Sequence, residues 1–233
     1  MMTRLLPVVF AVICGFLDVL AAAPAEKPAK KPAGQSEAIN QQFAEFLKNP
    51  SEANFLKVHR LVVSHASYAP YSSDLDDVTD LLEQKKYKEA QAMLTKAMPN
   101  LLLSPRAHRH LAAAAKALGD EAAAQRETAA AEKCIQGLLA TGDGTQQRPI
   151  VVTRASDEYD VVHGLKKKVF GQGLRMKEGK SFDVLQCSGG SEMWFDVTAP
   201  FGTMVKSLKV EPPKKSRKAP LKKTVPEASS KDK

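Results

Sequence analysis

The chain has 233 residues, 43% of them hydrophobic and 26% charged, with a net charge of +8. Residues 212–233 hold eight Lys/Arg against two acids and residues 1–35 hold four against two, which accounts for the whole +8 and leaves residues 36–211 neutral. A basic nucleic-acid-binding face on a folded domain is thereby excluded, because that function needs the positive charge on the domain itself.

Residues 1–25 read as a secretory signal peptide. Arg4 forms a small positive n-region, an apolar run follows from Leu5 to Phe16, and small residues close it, with cleavage expected after Ala25. The run falls short of the roughly 20 apolar residues of a membrane span, so a membrane contact is expected only if this segment is retained. An exported, periplasmic or secreted protein follows, which excludes cytosolic metabolism, transcription and translation. Residues 26–35, rich in Pro, Ala and Lys, have no apolar face to bury and read as a linker. Residues 211–233 read as a disordered basic tail, suited to contact anionic polymers but carrying no specific nucleic-acid signal.

Residues 36–145 have helical spacing. Ile39, Phe43, Phe46 and Leu47 mark a first helix that stops at Asn49-Pro50. Ser51 can cap a second, with Phe55, Val58, Leu61 and Val62 on one face. Tyr68-Ala69-Pro70-Tyr71 breaks the pattern. Asp74 to Glu83 and Lys88 to Met98 then form a helix pair. Pro105 opens a fifth helix ending at Gly119, and Asp120 caps a long sixth through Leu139. Ala90 and Ala97 recur 34 residues later as Ala124 and Ala131, a weak tetratricopeptide-like spacing in which alanine permits close helix approach.

From residue 146 to 210 the texture is that of strands. Pro149 to Thr153 is a short β-branched run. Ser156 caps a turn or two of helix, with Asp157 and Glu158 in its first turn. Val169 to Met176, Phe182 to Cys187 and Met193 to Val197 follow as strands. Glu178-Gly179-Lys180 turns the chain, and Ser188-Gly189-Gly190-Ser191 joins the last two strands. Met193, Phe195 and Val197 should face the core, with Trp194 on the opposite face. Pro200 to Leu208 closes with a turn and short helix. Short connections predict a small antiparallel sheet packed on the helices, so the fold class is α+β: a helical, tetratricopeptide-like array followed by strands.

Five segments carry a resemblance: Tyr68-Ala69-Pro70-Tyr71, Gly142-Asp143-Gly144-Thr145, Asp157-Glu158-Tyr159, Phe182-Asp183-Val184-Leu185 and Trp194-Phe195-Asp196-Val197. In this order and spacing the chain resembles the bacterial domain of unknown function 4919 family from about Asn54 to Lys206. That family usually has Tyr-Phe where this chain has Trp194-Phe195. The resemblance implies an exported bacterial protein of α+β structure and implies no activity.

The chemistry-bearing residues are sparse. His108 and His110, two apart on a helix, diverge by about 200°, and His59 and His65 also diverge, so neither pair suits a metal. Thr141-Gly142-Asp143-Gly144 lacks the spaced carboxylates of a calcium loop and reads as a turn. Gly171 and Gly173 lack the third glycine of a dinucleotide fingerprint. Cys134 and Cys187 read as buried free thiols, with a disulfide between them left open because an exported compartment permits one. No catalytic residue, metal ligand or cofactor is assigned. Tyr68, Tyr71, Asp157, Glu158, Tyr159, His163 and Trp194 are the candidate groove residues, suited to a sugar or peptide if they converge. The expectation is a non-catalytic binding or interaction module of the cell envelope, its partner a protein or an envelope component. The alternative is an envelope hydrolase that pairs Asp157 or Glu158 with His163.

Overall fold

The computed structural model describes residues 33–208. The expected signal peptide, the greater part of the linker and the basic tail lie outside the described residues. Helix α1 spans Ala33–Lys48, so the last three expected linker residues are already helical. Pro32 disfavours the helical conformation only for the residue before it, and a helix can start directly after it.

Helices α2 (Glu52–Ser64), α3 (Asp74–Glu83), α4 (Tyr87–Ala97), α5 (Pro105–Ala117) and α6 (Glu121–Thr141) follow at the expected places. Their ends have local causes. Ser104 Oγ accepts from Ala107 N–H at 3.4 Å with Pro105 in the first turn, and Asp120 Oδ1 accepts from Ala123 N–H at 2.9 Å. Gly119 between them has φ +82°, a conformation that costs glycine nothing. Helix pairs α3–α4 and α5–α6 pack as hairpins, and α4 packs on α5. Leu75, Val78, Ala90, Leu94 and Ala107 of α3, α4 and α5 form a small core with Leu101 of the α4–α5 turn.

The larger core joins helices to sheet. Phe46 of α1 meets Phe55 of α2 edge-on at 5.8 Å, over Gly137 of α6. A β-carbon at Gly137 would come within 2.6 Å of both rings, so glycine is what lets α1 and α2 reach α6. Val58, Val62, Leu138, Ile150, Leu185 and Phe195 continue the same cluster into the strands.

The sheet runs β1-β4-β3-β2, from β1 (Ile150–Val151), β2 (Val169–Lys177), β3 (Lys180–Cys187) and β4 (Ser191–Asp196). Its order corrects the all-antiparallel expectation. Strands β2, β3 and β4 are antiparallel neighbours, but β1 lies parallel to β4. Between β1 and β4 the chain passes through α7 (Ala155–Gly164) and the β2–β3 hairpin, the long crossover that parallel pairing requires. The strand expected from Pro149 to Thr153 shortens to two residues because the Thr153 and Arg154 amides turn onto Asp157. Both hairpin turns use left-handed backbone, with φ of 51° and 76° at Glu178-Gly179 and 80° and 70° at Gly189-Gly190, the pattern that matches strand twist. Helix α8 (Thr198–Leu208) closes the described chain. No helix among the described residues is long and apolar enough to cross a membrane.

Candidate functional site

Helix α7 begins on an unusual foundation. The cap residue is Arg154, not the expected Ser156, and the stabilising side chain is Asp157. Asp157 Oδ2 accepts from Thr153 Oγ1 at 2.6 Å, Thr153 N–H at 3.1 Å and Arg154 N–H at 3.2 Å. A buried carboxylate thus satisfies the strand-to-helix turn from inside. Burial outweighs these bonds, and the Asp157 carboxyl is pushed up to about 6.

The loop from Tyr68 to Ser72 lies over this turn. Tyr68 O–H donates to the Thr153 carbonyl at 2.6 Å. Asn100 fastens the loop: its Oδ1 accepts from Ala69 N–H at 2.9 Å, and its Nδ2 donates to the Ala69 carbonyl and to Ser72 Oγ. Arg154, itself buried, donates through Nη2 to the Ser72 carbonyl at 3.3 Å. On the other flank Asp160 Oδ1 accepts from Arg109 at 3.1 Å and from Arg106 at 3.4 Å, which ties α5 to α7.

Glu158 is the centre of the constellation. It has 0% exposure, and neither carboxyl oxygen has a donor in the structure. The Asp183 carboxyl of β3 lies close enough to act on it. Burial, reinforced by Asp183 and Asp157, pushes the Glu158 carboxyl up to about 9, so Glu158 carries the proton at neutral pH. Asp183 Oδ2 also accepts from Gln172 Nε2 at 2.8 Å, and Gln172 Oε1 accepts from Tyr159 O–H at 2.7 Å. The chain of bonds therefore runs Tyr159 to Gln172 to Asp183. Tyr71 and Tyr159 are exposed. The phenols of both are raised by partial burial and by the fields of Asp183 and Glu158, so the two rings flank the acid pair.

Among the described residues, every buried side-chain polar atom without a hydrogen-bond partner lies between Arg154 and Asp160: Arg154 Nε and Nη1, Ser156 Oγ, Asp157 Oδ1, both Glu158 oxygens and Asp160 Oδ2. Folded chains hold few such atoms, and each one is costly. Their concentration on one seven-residue segment, beside an acid pair and under exposed tyrosines, marks the seam between the Tyr68–Ser72 loop, α7 and the sheet as the candidate site.

Five of the seven expected groove residues converge there: Tyr68, Tyr71, Asp157, Glu158 and Tyr159. The other two do not. His163 lies exposed near the end of α7, five residues beyond Glu158 and so about 140° around the helix from it. It therefore forms no pair with the buried carboxyls. Trp194 sits opposite Val184, on the sheet face that carries Phe182, with its ring 6.1 Å from that of Phe182. Asp183, Leu185, Met193 and Phe195 occupy the other face, toward the helices. Gln172, Arg154 and Asn100 carry no motif that marks them in the sequence, and Asp183 enters it only within the Phe182–Leu185 segment. Asp183 had a usable signal, as an acid in phase with the inward-facing Leu185 and Cys187.

The remaining candidates have structural occupations. Asp143 Oδ1 accepts from Thr145 N–H and Oγ1, which makes the Gly142–Thr145 segment a side-chain-closed turn. His108 stacks on Phe43 and lies between Glu127 Oε2 at 2.7 Å and the Leu102 carbonyl at 2.9 Å. Burial pushes His59 down, and its Nε2 donates to the Val152 carbonyl at 3.2 Å. Among the described residues no group of three or more His, Cys, Asp or Glu could hold a metal ion. Cys134 and Cys187 are both buried and free.

No family model, no curated protein and no solved structure matches the chain.

Proposed function

We propose that the protein is a non-catalytic recognition module of the bacterial cell envelope, and that it binds through the seam under Tyr71 and Tyr159. The observation that carries this reading is the clustering of all seven unpartnered buried polar atoms on Arg154–Asp160. A neutral acid, a second carboxyl group, an amide and two phenols at one seam supply both donors and acceptors, a set suited to a polar ligand such as a sugar or a peptide backbone. The leader-like residues 1–25 and the family resemblance support export. A hydrolytic reading has one observation behind it, the raised Glu158 carboxyl beside Asp183. It is weakened by the 0% exposure of Glu158, whose proton cannot meet a substrate without local opening, and by the distant His163.

The test uses soluble peptidoglycan fragments and a panel of short peptides as probes, with binding read by calorimetry on the wild type, Tyr71→Ala and Asp183→Asn. The expected result is a ligand whose affinity falls about tenfold or more in both variants, as loss of a charge-assisted bond or of an aromatic contact implies. Binding unchanged in both variants would contradict the assignment to the seam. Turnover of a bound fragment that is lost in Asp183→Asn would favour the hydrolytic reading instead.

A further inference from the structure

Strand β2 is the terminal strand of the sheet, paired with β3 on one side and with no described strand on the other. It is nine residues long and contains no proline, one of the features that blunt an edge. Phe170, Leu174 and Met176 stand on it with 74%, 43% and 63% of their surface exposed. Natural edges seldom leave so much apolar surface open, because an open ladder flanked by apolar side chains invites another strand. The register shifts between Val169 and Gly171, so Phe170 sits in a bulge; Gly171 and Gly173 leave the face opposite Leu174 and Met176 low. The charge around the edge is one-sided. Residues 166–180 hold six Lys/Arg and a single acid, although the chain from 36 to 211 is neutral.

We propose that β2 is a strand-addition site for an acidic, extended segment of a partner protein whose alternate residues are apolar. The open backbone edge supplies the ladder, Leu174 and Met176 take the alternate apolar side chains with Phe170 at the bulged end, and Arg175 and Lys177 face the acids between them. A second copy of the chain fits less well, since pairing β2 with β2 brings two basic segments together. A nucleic acid would use the charge but neither the ladder nor the apolar row. The proposal does not rest on the seam, although Gln172 belongs to both places.

The test is fluorescence anisotropy with a labelled decapeptide of alternating Glu and Val. Its lysine counterpart and a version methylated on alternate backbone nitrogens serve as comparisons. The expected result is binding of the acidic peptide at least about tenfold tighter than either comparison, since one loses the charge match and the other the ladder. Amide exchange should slow along Val169–Lys177 when the acidic peptide binds. Arg175→Glu with Lys177→Glu, both exposed positions, should weaken binding about tenfold, whereas Tyr71→Ala should leave it unchanged. Equal binding of the methylated peptide would overturn the proposal. So would no binding up to about 1 mM, binding of anionic vesicles or an oligonucleotide in place of the peptide, or self-association through β2 in sedimentation.

Discussion

Replacing Glu158 with Gln keeps the shape of the buried side chain and removes its titration. In the native chain the carboxyl is raised from 4.5 to about 9, mainly by burial. The folded state therefore binds one proton more than the unfolded chain between pH 4.5 and about 9. Stability must fall as pH rises through that window. At pH 7 the gap of 2.5 units between 4.5 and the solution pH corresponds to about 3 kcal/mol, a large share of a typical domain's stability. Urea denaturation followed by circular dichroism at pH 5, 7 and 9 reads the effect. The variant should match the wild type within about 1 kcal/mol at pH 5 and exceed it by about 3 kcal/mol at pH 7, with a larger margin at pH 9. Asp157, raised to about 6, lowers stability only up to that pH, and the depressed histidines His59 and His110 raise stability only up to their ordinary value of 6.5. These contributions are common to both proteins and cancel in the difference. Parallel pH profiles with a constant offset would refute the placement of the proton on Glu158.

Asp157→Ala should cost about 3–5 kcal/mol in the same denaturation assay, because it strips the cap from α7 and leaves buried Arg154 without its nearby carboxylate. Gly137→Ala should destabilise by about 1–3 kcal/mol, since its new methyl would sit 2.6 Å from the Phe46 and Phe55 rings; the melting temperature reports it. Both cysteines should resist a thiol reagent in the native chain and react once it is unfolded in urea, because burial hides them and pushes both thiols up.

Much of the helical half is legible because its punctuation is local. Asp74–Glu83 is bounded by the Tyr68–Tyr71 break and by Lys85, whose φ is 58°, and the long α6 begins at the Asp120 cap. The parallel seating of β1 is not legible, since it depends on a crossover that no short pattern encodes. The cap of α7 was misplaced for a related reason. Ser156 has the chemistry of a cap, but a buried Asp157 outcompetes it by gathering three donors at once. At the seam, the aromatic and acidic residues were visible as motifs, yet the identity of the acid partner was not. Asp183 looks like an ordinary polar position until the β3–β4 register puts it on the helix-facing side. The same register shows why Trp194 does not belong with Tyr71: strand parity had already set it opposite Met193 and Phe195.

The most direct measurement of the proposed seam is a carbon-13 NMR titration of the glutamate carboxyls from pH 4 to 10, with Glu158 assigned through Glu158→Gln. One glutamate signal, absent from the variant, should titrate near pH 9 and respond to ligand binding at the seam. A Glu158 signal that titrates near 4.5 would mean the acid is ionised in the fold, and the seam would lose the protonated, unpartnered group on which the account depends.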